Sequence, residues 1–207
     1  MSNLAVAAPQ AMAAGPFSFD AYTIKRPWPT FLGRKFNVFD PSGQQCMFVQ
    51  HKILTFKDEW NIFSDTSATQ SLVKVKARQA IGVNITTDVM DATSGQIVGT
   101  VRSKGLKSIV RDTWEVLGPG ESVVGELVED SNGMLRRMLP TFFGMPLIPG
   151  KWHLTINGQT VMEVEEQRVF FGKTFGVKVT RGGVDPRFAI GCALLALMRE
   201  ITRESGS

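Results

Sequence analysis

The chain has 207 residues, with 23 Lys and Arg against 19 Asp and Glu, 43% apolar residues, 20 Gly and 10 Pro. That length can bury a sizeable core without staples, and one large domain is the best prior. Mean hydropathy near zero excludes a disordered chain and a polytopic membrane protein.

In chain order, Met1 to Gly15 is Ala-rich, lacks a basic leader and is interrupted by Pro9. It reads as part of a disordered tail over residues 1–19, not a secretory signal. A single domain is expected over residues 20–203. Three later segments open on Trp and then alternate: Trp60-Asn-Ile-Phe, Trp114-Glu-Val-Leu and Trp152-His-Leu-Thr. Each runs into a turn-rich stretch and then a second strand-like run, such as Leu72 to Lys76, Val123 to Leu127 and Val161 to Val164. The pattern predicts strand, turn, strand, three times over. Asn157-Gly158 is the sharpest turn, because a two-residue hairpin of the primed type needs positive φ at both positions. A second correspondence aligns Phe36 to Gly43 with Asp88 to Gly95, joined by Asp/Ser/Gly turns. Such a meander is expected to close into a barrel, which removes exposed strand edges.

The C-terminal segment breaks the pattern. Asp185-Pro186 is a helix start, with Asp capping and Pro preset at the first position. From Ala189 to Met198 no polar stripe occurs at helical spacing, and a helix apolar all round must be enclosed. The small residues Gly191, Ala193 and Ala196 let strands approach it. Charge returns at Arg199, Glu200, Arg203 and Glu204, where the helix is expected to emerge. The apolar run Phe188 to Met198 reaches only about 16 Å as a helix, roughly half a bilayer core. A soluble, cytoplasmic chain is expected, at most peripheral to a membrane. The reading is an antiparallel β-barrel around a buried C-terminal helix at about 186–201, and Leu194→Asp or Leu195→Asp is expected to prevent folding.

The repeated F-x-V-x-D-x-x-G hairpins, the basic run Arg102-Ser-Lys104-Gly-Leu-Lys107-Ser and the closing G-V-D-P-R ahead of the apolar helix resemble the LURP-one-related and phospholipid-scramblase-like proteins. These share the Tubby C-terminal fold, and the resemblance spans roughly residues 20–202. It implies a closed barrel of about 12 strands around a central hydrophobic helix. It also implies lipid recognition, since Tubby-type domains bind phosphoinositide headgroups through basic side chains. The calcium-binding acidic cluster and the anchoring segment of scramblases have no counterpart here, so lipid flipping is not expected.

The charges are segregated along the chain. Arg102, Lys104, Lys107 and Arg111 fall within ten residues without an acid, whereas Asp112, Glu115, Glu121, Glu126, Glu129 and Asp130 follow without a base. Clustered cations build a field that attracts anionic headgroups, and alternation puts Arg102 and Lys104 on one strand face. Lys74, Lys76 and Arg78 likewise share a face. The structural alternative is a solvated outer wall, with Lys guarding edges. Arg136-Arg137 leads into an apolar run broken by Pro140, Pro146 and Pro149, neither a regular helix nor a central strand. It is either an apolar loop that dips into an anionic interface or a lid over one barrel end.

The expected ligand-binding residues are therefore Arg102, Lys104, Lys107, Arg111, Arg136 and Arg137. The expected function is non-catalytic recognition of anionic phospholipid headgroups at a membrane surface; the alternative is a protein-interaction or structural scaffold. His51 and His153 have no carboxylate or thiol set at metal or nucleophile spacing, and Cys46 and Cys192 read as packing residues. No enzyme activity, cofactor or metal is expected. The pI near 9.2 permits nucleic-acid binding, but no aromatics interleave the basic run, so none is expected.

Overall fold

The computed structural model describes residues 15–27, 35–54, 57–79, 84–104, 113–130, 148–169 and 172–205, with backbone alone for 52–54, 57–58 and 202–205. The strands are β1 (Ala21–Arg26), β2 (Lys35–Phe39), β3 (Gln45–Leu54), β4 (Lys57–Phe63), β5 (Ser71–Ala77) and β6 (Thr86–Asp91). They continue as β7 (Ile97–Ser103), β8 (Thr113–Leu117), β9 (Val123–Glu129), β10 (Lys151–Ile156), β11 (Gln159–Gln167) and β12 (Lys173–Val179). Each pairs antiparallel with the next, and β12 returns to β1 to close a barrel. Along β5, buried Val73, Val75 and Ala77 alternate with exposed Lys74 and Lys76, so the apolar face looks inward. That is the reverse of a membrane-spanning barrel, whose apolar band faces out.

The repeat seen in the sequence is a bulged hairpin. A register shift occurs beside the turn in β2–β3, β4–β5, β6–β7, β8–β9 and β10–β11. Each bulge adds local right-handed twist, and the five fall near one rim, where that twist curls the sheet toward closure. The turns at this rim share a device. The Asp40 Oδ1 accepts from the Ser42 and Gln44 amides at 2.8 and 3.0 Å; the Asp91 Oδ1 accepts from the Thr93 and Ser94 amides at 3.0 and 2.8 Å. Gly43 and Gly95 follow with φ of 85° and 71°, the left-handed conformation that glycine adopts without steric cost. Asn157 and Gly158 have φ of 49° and 78°, as the primed turn requires.

The C-terminal helix α1 (Pro186–Ser205) enters at the same rim and fills the interior. Phe188, Ala189, Ile190, Cys192, Ala193, Leu194, Ala196 and Leu197 are each at most 1% exposed. The helix touches β5, β6, β7, β10 and β12. Two glycines set its distance from the wall. A Cβ on Gly191 would come within 2.8 Å of the Val89 side chain, and one on Gly99 within 2.2 Å of the Phe188 ring. The start of the helix is pinned. The Asp185 Oδ1 accepts from the Arg187 amide at 2.9 Å. The Arg187 guanidinium donates to both Asp185 oxygens and, through Nη1, to the Asp91 Oδ2 at 2.7 Å.

Three details differ from expectation. Glu200 is 4% exposed while Arg199 is exposed, so the barrel encloses the helix beyond Met198. Leu195 is only partly buried, unlike Leu194 at 1%. Residues 1–14 of the expected tail lie outside the described residues. Phe17 and Phe19, also assigned to it, pack against the core.

Leu194→Asp is expected to abolish folding, because a buried unpaired carboxylate costs several kcal/mol, a large share of a typical stability of about 5–15 kcal/mol. Leu195→Asp is expected to fold with a lowered melting temperature; circular dichroism of both variants checks the contrast. Burial pushes the Asp91 carboxyl up, but the Ser94 amide and hydroxyl and the Arg187 guanidinium outweigh it and hold it below its ordinary 3.8. A depressed folded value stabilises at pH above the ordinary value, and that contribution is lost as pH falls through the folded value. Unfolding free energies from urea titration are therefore expected to separate wild type from Asp91→Asn by about 1–2 kcal/mol at neutral pH, with the gap closing below pH 3.8.

Candidate functional site

The up-and-down topology sorts the connections between two rims. The bulged turns occupy one; the links β1–β2, β3–β4, β5–β6, β7–β8, β9–β10 and β11–β12 leave the other. Arg102 lies on the outer wall in the last turn of β7 toward this second rim, and Lys104 follows the strand end. Lys107 and Arg111 belong to the β7–β8 connection and Arg136 and Arg137 to the β9–β10 connection, outside the described residues. Because β7, β8, β9 and β10 are consecutive neighbours, the start of β8 and the end of β9, one from each connection, lie side by side.

The acids that follow the basic run in sequence lie beside it in space. β8 pairs with β7 so that Glu115 faces Arg102. The Arg102 Nε and Nη2 donate to the Glu115 Oε2 at 3.1 and 2.7 Å, and the Lys104 Nζ lies 3.4 Å from the Glu115 Oε1. The Arg102 hydrogen bond foremost, against the opposing effect of burial, holds the Glu115 carboxyl below its ordinary value. Arg102 and Lys104 do share a face, as alternation requires, and Glu115 is on it too.

Arg78, at the end of β5, extends the same arrangement. Its Nε and Nη2 grip Asp88 of β6 at 2.8 and 2.9 Å, a fork that fits both carboxylate oxygens. Asp88 also accepts from the buried Thr100 hydroxyl of β7 at 2.7 Å. Glu121, in the 3-10 turn Pro119–Glu121 between β8 and β9, reaches both arginines: 3.2 Å to the Arg78 Nη1 and 3.7 Å to the Arg102 Nη1. Charges that are remote or segregated along the chain thus form one band across β5, β6, β7 and β8. Sequence reasoning placed Arg78 with Lys74 and Lys76 and Glu121 in an acidic run; only strand register joins them.

A second group, of which the acidic run in the sequence contains only Glu129, is internal. Glu129 and Glu166 are 1% and 2% exposed, at inward positions of β9 and β11 that alternation alone would give to apolar residues. The Glu166 Oε1 accepts from the Lys173 Nζ, and its Oε2 from the Gly150 amide at 3.2 Å. A buried carboxylate needs such partners.

The remaining candidates are structural. His51 stacks on Trp60 with ring centroids 3.8 Å apart and 7° between planes. His153 Nε2 lies 4.0 Å from the Asp130 Oδ1. Trp60, Trp114 and Trp152 are all buried in the core. Burial pushes the Cys46 thiol to about 11 and the Cys192 thiol higher still, so neither is a poised nucleophile. Among the described residues no three His, Cys, Asp or Glu side chains converge for a metal, and no helix is long and apolar enough to cross a membrane.

Comparison with curated proteins and with solved structures finds no match. A family model, LURP-one-related, matches residues 45–196, from the start of β3 to the middle of α1. The matched span carries the β6–β7 turn, the charged band and the capped entry of the enclosed helix, and on that basis the chain belongs to the LURP-one-related family, part of the Tubby-like superfamily.

Proposed function

We propose that this protein is a non-catalytic module that binds anionic lipid headgroups at a membrane surface, peripherally and on the cytoplasmic side. Its contacts are Arg102, Lys104, Lys107, Arg111, Arg136 and Arg137. The observation that supports this reading most is topological. The β7–β8 and β9–β10 connections, which supply four of the six cations, join four consecutive strands at the rim opposite the acidic Asp40 and Asp91 turns. The β9–β10 connection also contributes Phe142, Phe143, Met145 and Leu147, and a basic segment beside apolar side chains has the chemistry of an anionic interface. Membership of a Tubby-like family is compatible with it. The pairing of Arg102 and Lys104 with Glu115 favours a second reading, a protein-interaction scaffold, because it reduces their field at long range.

Co-sedimentation with phosphatidylcholine vesicles, with and without phosphatidylserine or phosphoinositide, separates the two. Binding is expected only to the anionic vesicles and should weaken with added salt. At about 1 kcal/mol per cation near such a surface, Lys104→Glu with Lys107→Glu should reduce affinity about tenfold or more. Undiminished binding of that variant removes the site, and no binding by wild type at low salt leaves the scaffold reading.

A further inference from the structure

Glu121 is held in an unusual way. It has φ of 60°, directly after Gly120 at 65°, and a left-handed conformation is costly for a residue with a Cβ. Its side chain is 63% exposed, yet the carboxylate bridges two guanidinium groups that come from different strands. Each arginine is fixed from behind. Asp88, with a side chain only 12% exposed, takes Arg78 by two nitrogens, and Glu115, 18% exposed, takes Arg102 by two. In both cases the remaining nitrogen, Nη1, points to the place that the Glu121 carboxylate occupies.

We infer that Arg78 and Arg102 form a preorganised site for a phosphate monoester, and that Glu121 is its built-in competitor, displaced when the phosphate group enters. Orientation is set in advance, since Asp88 and Glu115 hold the two forks, and a ligand does not have to order them. The blocking contacts are weak, because exposed ion pairs contribute little net stabilisation. The chemistry favours exchange. A carboxylate brings one negative charge to two cations, whereas a phosphate monoester brings close to two and three acceptor oxygens that match guanidinium donors. With Glu121 swung out, Arg78, Arg102 and Lys104 face Asp88 and Glu115, and the band has a net charge of one positive. The inference rests on the anionic-group reading above for its ligand class, but places the group on the outer wall over β6 and β7, through Arg78 and Glu121, which that reading does not use.

The test uses the full chain titrated with inorganic phosphate, followed by the arginine Nε–H signals in nuclear magnetic resonance spectra. It also uses vesicles of phosphatidylcholine carrying either phosphatidylinositol 4-phosphate or phosphatidylserine. Glu121→Gln, at an exposed position, is expected to tighten phosphate binding about three- to tenfold, the equivalent of one or two surface ion pairs. Arg78 and Arg102 signals should shift together. Arg78→Lys keeps the charge but loses the fork, and should cancel that gain. Tightening by Glu121→Gln on phosphatidylinositol 4-phosphate vesicles but not on phosphatidylserine vesicles assigns the site to a lipid headgroup; tightening with inorganic phosphate alone assigns it to a soluble phosphate compound. If Glu121→Gln changes neither, the inference is overturned. If at the same time Lys104→Glu with Lys107→Glu still releases the protein from anionic vesicles, the membrane reading stands without it.

Discussion

A helix with no polar stripe has nowhere to sit except inside something. Ten apolar side chains from Phe188 to Ile201 are nearly or wholly removed from water, and no flat sheet covers a helix on every side. The ring of strands answers that requirement, and much of the molecule serves the ring. Five bulged hairpins supply the curl, Gly99 and Gly191 set how near the wall comes to the helix, and Arg187 ties the helix start to the β6–β7 turn. The chain's own helix occupies the barrel interior, so among the described residues the outer wall and the rims are the surfaces open to a ligand.

On that outer wall the decisive fact is lateral. Antiparallel neighbours place β8 against β7, so an acidic stretch that follows a basic one in the chain comes to lie beside it. Ion pairs at this surface add little to stability. They do fix orientation: a guanidinium held by two of its nitrogens presents the third in a set direction. A band with almost no net charge can therefore still offer directed donors. That distinguishes the short-range site proposed at Arg78 and Arg102 from the long-range attraction proposed for the connections at the second rim.

Local signals made much of the fold legible. Asn157-Gly158, the Asp-to-Gly turns and the Asp185-Pro186 cap each act within a few residues, so their geometry follows from the residues themselves. The Trp-led repeats named the correct hairpins, since a meander pairs each strand with its successor. The bulges were not legible, because one extra residue beside a turn leaves the alternation nearly intact. Glu200 was misread because its burial depends on how far the rim extends along the helix, a property of the strands around it.

For the candidate site the division is sharper. Arg102 and Lys104 were identified as charges on one face, which alternation determines. Their partner Glu115, and the convergence of Arg78 and Arg102 on Glu121 across 43 residues of sequence, were not. Periodicity, turn chemistry and apolar patterning are properties of neighbouring residues, and these by themselves determined the barrel, the buried helix and its cap. Which charge meets which is a property of register between strands, and register exists only once the strands have paired.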